Sequence, residues 1–303
     1  MLKYIITAMA LKVFSSNSLA RGQYRKLGNS LGGTRRRTEL MPGYYPERLK
    51  RMLRLQRQHN IVRDGDRILE LGTGWLHWEA LTLRLFVDIE AVLFDVWDNR
   101  QLQGLKNYLQ QLRPLLNDGF GLSEAELRRA HSLIEAIIMV ESFDDLYNLL
   151  GFRYVVESAG SLSQFPAHSF KLVVSAGVLE HVRRDAVPTL IEETQRVLKP
   201  GGWALHSIDT SDHLAHYDST VSRKMYLRFS EWTWRCLFEN EVQYINRVQR
   251  EDWLALFRSN GFQLVEEKDQ YVDITGLKLA KRYLHMQRRD LECAVLRLAL
   301  RSV

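Results

Sequence analysis

Arg67-Ile68-Leu69-Glu70-Leu71-Gly72-Thr73-Gly74 is the stretch on which the fold of this 303-residue chain turns. Three aliphatic side chains in five residues, stopped by two glycines, read as a short strand buried in a sheet. Glycines at that point let the backbone come close to a ligand and let the next helix aim its N-terminus at it. Further on, Ala91-Val92-Leu93-Phe94-Asp95 repeats the strand and closes on an acid, a side chain that can accept hydrogen bonds from a ribose. Trp75 follows Gly74 directly, so the three-glycine G-x-G-x-x-G pattern that cradles a pyrophosphate is missing. A nucleoside-bearing ligand without phosphates fits this turn better than a dinucleotide.

Working outward, Arg153–Val156, Lys171–Ser175, Trp203–Ile208, Phe262–Val265 and Ala294–Leu300 are the remaining strand candidates. Helical periodicity fills the gaps: Pro188–Leu198 stops at Pro200-Gly201-Gly202, and Glu251–Asn260 stops at Gly261. Strands alternating with helices predict an α/β fold, a Rossmann-like seven-stranded and mostly parallel sheet with helices on both faces. That domain occupies 64–303. Two stretches exceed an ordinary connection. Residues 98–150 read as a helical insertion, with Leu102–Leu116 and then a capped start at Ser123 running towards Val140. Residues 209–250 form a substrate-side insertion with Tyr226, Phe229, Trp232, Trp234 and Phe238, which can stack on a ring substrate or simply pack on the core.

Charge divides the chain. Residues 1–63 carry fourteen Lys or Arg against Glu39 and Glu47, and the remainder is mildly acidic. A basic N-terminal extension suggests an anionic neighbour: a membrane surface contacted peripherally, a nucleic acid or a phosphorylated substrate. The first twenty residues imitate a signal peptide, with Lys3 before Tyr4–Phe14 and Ser18-Leu19-Ala20 behind, but Lys12 interrupts the apolar run. Leu2, Ile5, Ile6 and Met9 at helical spacing suggest an amphipathic helix instead. Cys236 and Cys293 are the only cysteines, which excludes a disulfide framework and a cysteine-rich zinc site. A cytoplasmic protein, membrane-associated through its basic arm, is the expectation; oligomeric state is not written in the sequence.

Four motifs in order, Ile68–Gly74 (ILELGTG), Asp95, Phe170–Val182 (FKLVVSAGVLEHV) and Arg196–Gly202 (RVLKPGG), make the chain resemble class I S-adenosylmethionine-dependent methyltransferases of the small-molecule and quinone branch. The resemblance implies S-adenosylmethionine as cofactor. Glu70 would sit near its methionine part, with Gly72, Thr73 and Gly74 forming the close turn. Asp95 would hold the ribose, and Ser175, Ala176 and Gly177 would line the floor. Relatives often place an adenine-reading acid after the third strand; here Glu157-Ser158-Ala159-Gly160 stands there, leaving Glu157, Ser158, Ala159 or a backbone carbonyl to serve.

Methyl transfer to oxygen gains from alignment and from a base. His181 lies just after the fourth strand. Beyond the fifth, His206, Asp209, Asp212, His213, His216 and Asp218 crowd thirteen residues. Asp209 and His213 are base candidates beside His181; a divalent metal held by such a set is an alternative, and no residue is assigned as a ligand. Asn246 and Arg247 offer donors to a hydroxyl-rich or anionic acceptor. The expected reaction is methylation of an oxygen on a small molecule or glycan. An RNA methyltransferase using Arg35-Arg36-Arg37 and Arg48–Arg57 on phosphates, or a non-catalytic cofactor-binding module, are the other readings.

Overall fold

The computed structural model describes residues 1–15, 22 and 39–303. All seven expected strands form. They are β1 (Arg67–Leu71), β2 (Glu90–Asp95), β3 (Phe152–Val156), β4 (Phe170–Ala176), β5 (Leu198–Asp209), β6 (Phe262–Tyr271) and β7 (Cys293–Ser302). They make one sheet in the order β3-β2-β1-β4-β5-β7-β6. β1 pairs in parallel with β2 and β4, β2 with β3 and β4 with β5, whereas β7 runs antiparallel between β5 and β6. The order reverses between β1 and β4, so the crevice beyond their C-terminal ends is where an open α/β sheet takes a ligand. β1 buries four of its five residues, as a central strand covered on both faces must.

The helices outside the sheet follow in chain order: α1 (Leu2–Phe14), α2 (Tyr44–His59), α3 (Trp78–Arg84), α4 (Leu102–Leu115), α5 (Glu124–Met139), α6 (Phe143–Leu150), α7 (Val187–Val197), α8 (Glu231–Leu237), α9 (Arg250–Ser259) and α10 (Arg288–Glu292). One core lies under α2 to α6, with Leu81, Leu109 and Ile134 packed against Ile68 and Leu93. The other lies under α7 and α9, with Ile191, Trp253 and Phe257 against Val173 and Leu298. The capped start at Ser123 is a capping box with Glu126, and a second box, Ser142 with Asp145, opens α6. That second box splits the insertion into three helices where the periodicity showed two.

Packing into the first core reaches back across residue 63. α2 places Leu49, Met52, Leu53 and Leu55 in the first core, followed by Ile61 and Val62. Its arginines are spent inside the molecule. Arg48 pairs with Glu79, Arg51 and Arg54 with Glu266, and Arg57 donates to the carbonyls of Phe120 and Gly121. Arg48–Arg57 is therefore not a free phosphate-binding surface; Arg35-Arg36-Arg37 lies outside the described residues. α1 is likewise docked, with Tyr4, Ala8 and Leu11 buried in a third cluster with Leu214, Tyr226, Trp234 and Phe238. The spacing Leu2, Ile6 and Met9 marks the exposed side of α1, not its buried face. Tyr226, Phe229, Trp234 and Phe238 of 209–250 belong to this third core, whereas Trp232 and Tyr217 are exposed. Among the described residues no helix is long and apolar enough to cross a membrane.

Candidate functional site

The turn after β1 is shaped by positive backbone angles at Gly72 (φ +62°) and Gly74 (φ +59°), the left-handed region that favours glycine. Asp95 fixes it from β2: its Oδ2 accepts the Gly74 amide at 2.8 Å and its Oδ1 accepts the Val96 amide at 2.8 Å. Burial raises the Asp95 pKa against the pull of those amides. With the Trp97 amide also on it, the carboxylate still keeps acceptor capacity for a ribose hydroxyl. Val96 beside it is 44% exposed, an apolar side chain left open at a strand end, which suits the face of a base. Glycine turn, strand-end carboxylate and open valine fit a nucleoside cofactor, and Val96 is a candidate contact that the motif pattern did not single out.

Other expected cofactor residues are placed differently. Glu70 is buried, and its Oε2 accepts the Ala80 amide at 2.8 Å, so its carboxylate holds the start of α3. Thr73 offers backbone only, since its hydroxyl bonds His77 Nδ1 at 2.7 Å. His77 Nε2 meets Tyr147 Oη at 3.0 Å, and the ring packs among Phe143, Tyr147 and Tyr154. Arg100 lies over the same three aromatic rings. The helical insertion is therefore a brace behind the glycine turn, contributed by α6. Ser175 turns inward and bonds buried His206 Nδ1 at 2.8 Å, which removes both side chains from the sheet edge. Ala176 and Gly177 do reach that edge. Glu157 accepts the amides of Ala159 and Ser161 and closes its own turn, leaving Ser158 and Ala159 exposed beyond β3.

The chemistry-bearing groups converge at the ends of β4 and β5. A single 3-10 turn, Leu179–His181, follows β4. Asn246 pins it: its amide N–H groups donate to the Leu179 and Val182 carbonyls at 2.8 and 3.1 Å, and its backbone N donates to the Glu180 carbonyl. Asn246 is thus a structural clasp, not the acceptor donor that the sequence suggested. His181 Nδ1 pairs with the Tyr244 carbonyl at 2.7 Å, which makes that nitrogen the donor and leaves Nε2 its lone pair. The His181 and His213 rings lie 5.0 Å apart, and Asp209 Oδ2 is 3.7 Å from His213 Nε2. Burial lowers the His213 pKa, but Asp209 and then Glu180 outweigh it and the net shift is upward.

Glu180, unassigned in the sequence reading, belongs to this group. It is 3% exposed, burial pushes it up to about 8, and its Oε2 has no hydrogen-bond partner. Its signal was adjacency to His181 in a turn that must bury one of the two. Ligand atoms of Glu180, His181 and His213 all lie within 4.8 Å of one another. The rest of the His/Asp segment serves other ends. Asp212 accepts from Tyr4 Oη at 2.7 Å, Asp218 accepts from Thr220, and His216 stacks on His213 from the exposed side. Beside the cluster opens a cavity of about 410 Å³ lined by Arg183, Arg184, Arg235 and Arg247 together with Asp185, Glu231 and Glu239. Arg247 sits at φ +56°, pairs with Glu231 through Nη2, lies over Trp234, and leaves Nη1 buried without a partner.

The family described as a methyltransferase domain matches residues 35–267. No curated protein matches the chain. Among solved structures, a Pyrococcus horikoshii protein aligns at 14% identity over 88% of this chain and 96% of its own, with a TM-score of 0.48. A S-adenosylmethionine-dependent methyltransferase from Methanosarcina mazei aligns at 17% over 81% and 96%, with a TM-score of 0.43. The CurJ carbon methyltransferase aligns at 14% over 79% of this chain, which spans 49% of that protein, with a TM-score of 0.39.

Proposed function

Because this chain belongs to the methyltransferase-domain family, an enzyme family that uses S-adenosylmethionine, we propose that it methylates a hydroxyl oxygen of an anionic small molecule or glycan. The observation that carries the reading is the convergence of Glu180, His181, Asp209 and His213 at the ends of β4 and β5, beside an arginine-walled cavity. When bound, S-adenosylmethionine would supply a methyl carbon on sulfonium sulfur, with the sulfur keeping the bonding pair when the acceptor oxygen takes the methyl. The Gly72–Gly74 turn, Asp95 and Val96 would hold that cofactor. Acceptor and methyl must be aligned, and the hydroxyl must lose its proton as the bond forms. The cluster offers acceptors for that proton on two adjacent loops. Arg183 pairs with Glu241, and Arg235 and Arg247 pair with Glu231, so Arg184 and the unpartnered Nη1 of Arg247 are the donors that favour an acceptor carrying a carboxylate or phosphate.

The experiment is to incubate the protein with methyl-¹³C S-adenosylmethionine and a panel of hydroxy acids, catechols, uronic acids and phosphosugars. S-adenosylhomocysteine formation and the ¹³C shift of the product methyl are the readouts. His213→Ala and Asp209→Ala should lower turnover by roughly 10²- to 10⁴-fold, with cofactor affinity nearly unaltered. A methyl group found on carbon or nitrogen, or full activity in both variants, refutes the reading.

A further inference from the structure

We propose that Glu180, His181 and His213 bind one divalent first-row cation, on whose open positions the acceptor hydroxyl sits. Its use as the acceptor centre rests on the reading above, whereas the site itself stands on geometry.

Three potential ligand atoms from two loops lie within 4.8 Å of one another. A cation about 2.0–2.3 Å from each donor needs them no more than roughly 4.5 Å apart, so a small side-chain rotation closes the set. Two of the donors have no hydrogen bond, although His213 Nε2 lies 3.7 Å from the Asp209 carboxylate. Glu180 Oε2 and His213 Nε2 are both buried and both lack a hydrogen-bond partner. A buried polar atom left unpaired costs about 1–3 kcal/mol, and more when it is charged. The third donor is prepared: a metal-binding histidine characteristically donates its other ring N–H to a carbonyl or carboxylate, and His181 does so to Tyr244 at 2.7 Å. Two imidazoles and one carboxylate suit Mn²⁺, Fe²⁺ or Zn²⁺ and leave coordination positions open. Asp209 borders the set, 3.7 Å from His213 Nε2, and its carboxylate, which also accepts the Ser211 amide, is placed to take the proton that a cation-held hydroxyl releases. Asp212, His216 and Asp218, neighbours in the same segment, are not part of the set; Asp212 and Asp218 are engaged elsewhere.

The test is calorimetric titration of the chelator-treated full chain with MnCl₂ and ZnCl₂, with the electron paramagnetic resonance signal of free Mn²⁺ as a second readout. One site per chain is expected. Glu180→Gln, His181→Asn and His213→Gln should each weaken it by at least about 100-fold, and a thermal melt of each variant reports folding. His181 is exposed, so at least that variant keeps the comparison free of a folding defect. Asp209→Asn should retain the cation within about tenfold yet lose turnover, and His285→Gln should change neither. Absence of stoichiometric binding, or binding that survives all three ligand variants, overturns the site. If the cation binds and the variants lose it, but the methyl group lands on carbon, the site stands and the hydroxyl reading falls. If no cation binds while His213→Ala still abolishes oxygen methylation, the site falls and that reading stands.

Discussion

Gly72→Ala is the sharpest perturbation that the geometry allows. A Cβ added at residue 72 would lie 2.4 Å from Val178 Cγ2, 2.7 Å from Cγ1 and 3.1 Å from Cβ. Both methyls face the glycine, so a 120° rotation about χ1 leaves at least one of them in the way. The turn that carries Val178 would have to shift, and overpacking of this kind costs about 1–3 kcal/mol. The left-handed backbone adds about 1–2 kcal/mol for any residue with a Cβ. The total is roughly 2–5 kcal/mol. Val178→Ala removes the two methyls and leaves only the 3.1 Å contact, which a few tenths of an ångström relieve. In a double-mutant cycle by urea denaturation, Val178→Ala should return about 1–3 kcal/mol to the Gly72→Ala variant while the backbone cost persists. Cofactor affinity by calorimetry should fall in the single variant by up to roughly 150-fold, the same 1–3 kcal/mol expressed at the turn, and recover in the double variant. A loss below about 1 kcal/mol, or no rescue by Val178→Ala, would show that Gly72 and Val178 are not in contact and that the two loops are uncoupled.

Acid stability and the N-terminal helix give two further tests. Burial lowers both His77 and His206 to about 3, from an ordinary value of 6.5. Between those limits the unfolded chain binds protons that the folded chain refuses, so stability rises with pH there and falls on acidification below 6.5, by about 1.4 kcal/mol per unit for each group. The two histidines together contribute roughly 3 kcal/mol less stability at pH 5.5 than at pH 7.5, and His206→Leu, compared with the parent protein so that Glu180 and the other titrating groups cancel, should reduce the difference between the two pH values by about 1.4 kcal/mol; equal slopes for both proteins refute this. Tyr4→Phe should cost about 1–3 kcal/mol by leaving Asp212 Oδ2 without its buried donor, and Tyr4→Ala roughly 3–5 kcal/mol. Unchanged melting in Tyr4→Ala would detach α1 from the 209–250 layer.

What could be read in advance was local. Strands β1 to β5 announce themselves by aliphatic residues and a glycine or acid at or just after their ends, and Ser123 with Glu126 spells out a helix start. α2 was legible too: Leu49, Met52 and Leu53 recur at helical spacing, but the density of arginine drew attention to charge instead of to that stripe. The partners of Arg48 and Arg51 lie on α3 and β6, 31 and 215 residues away, and no local pattern points to them. The same limit hid the use of the His/Asp segment. Nothing in its spacing separates Asp209 and His213, which face the strand ends, from Asp212, which turns back to meet Tyr4 more than 200 residues earlier. His206 shows the alternation at work: three residues before Asp209 on the same strand, it lies on the opposite face and is sealed in with Ser175.

The turn at 177–181 ties these pieces into one device. Its Val178 presses on Gly72, so it sets the height of the cofactor turn; two and three residues later its Glu180 and His181 supply acceptor-side groups. A 3-10 turn of three residues has no slack with which to move one end and not the other. Its position is fixed from outside by Asn246, within an insertion that also brings His213 and the arginine-walled cavity. On the proposed function, the sheet would hold the methyl group, and the insertion, through Asn246 and the Tyr244 carbonyl, would set how far the acceptor groups stand from it. Sequence change in 209–250 that preserves Asn246, Asp209 and His213 can alter the cavity and with it the acceptor. A change at Asn246 itself loosens cofactor turn and acceptor cluster together.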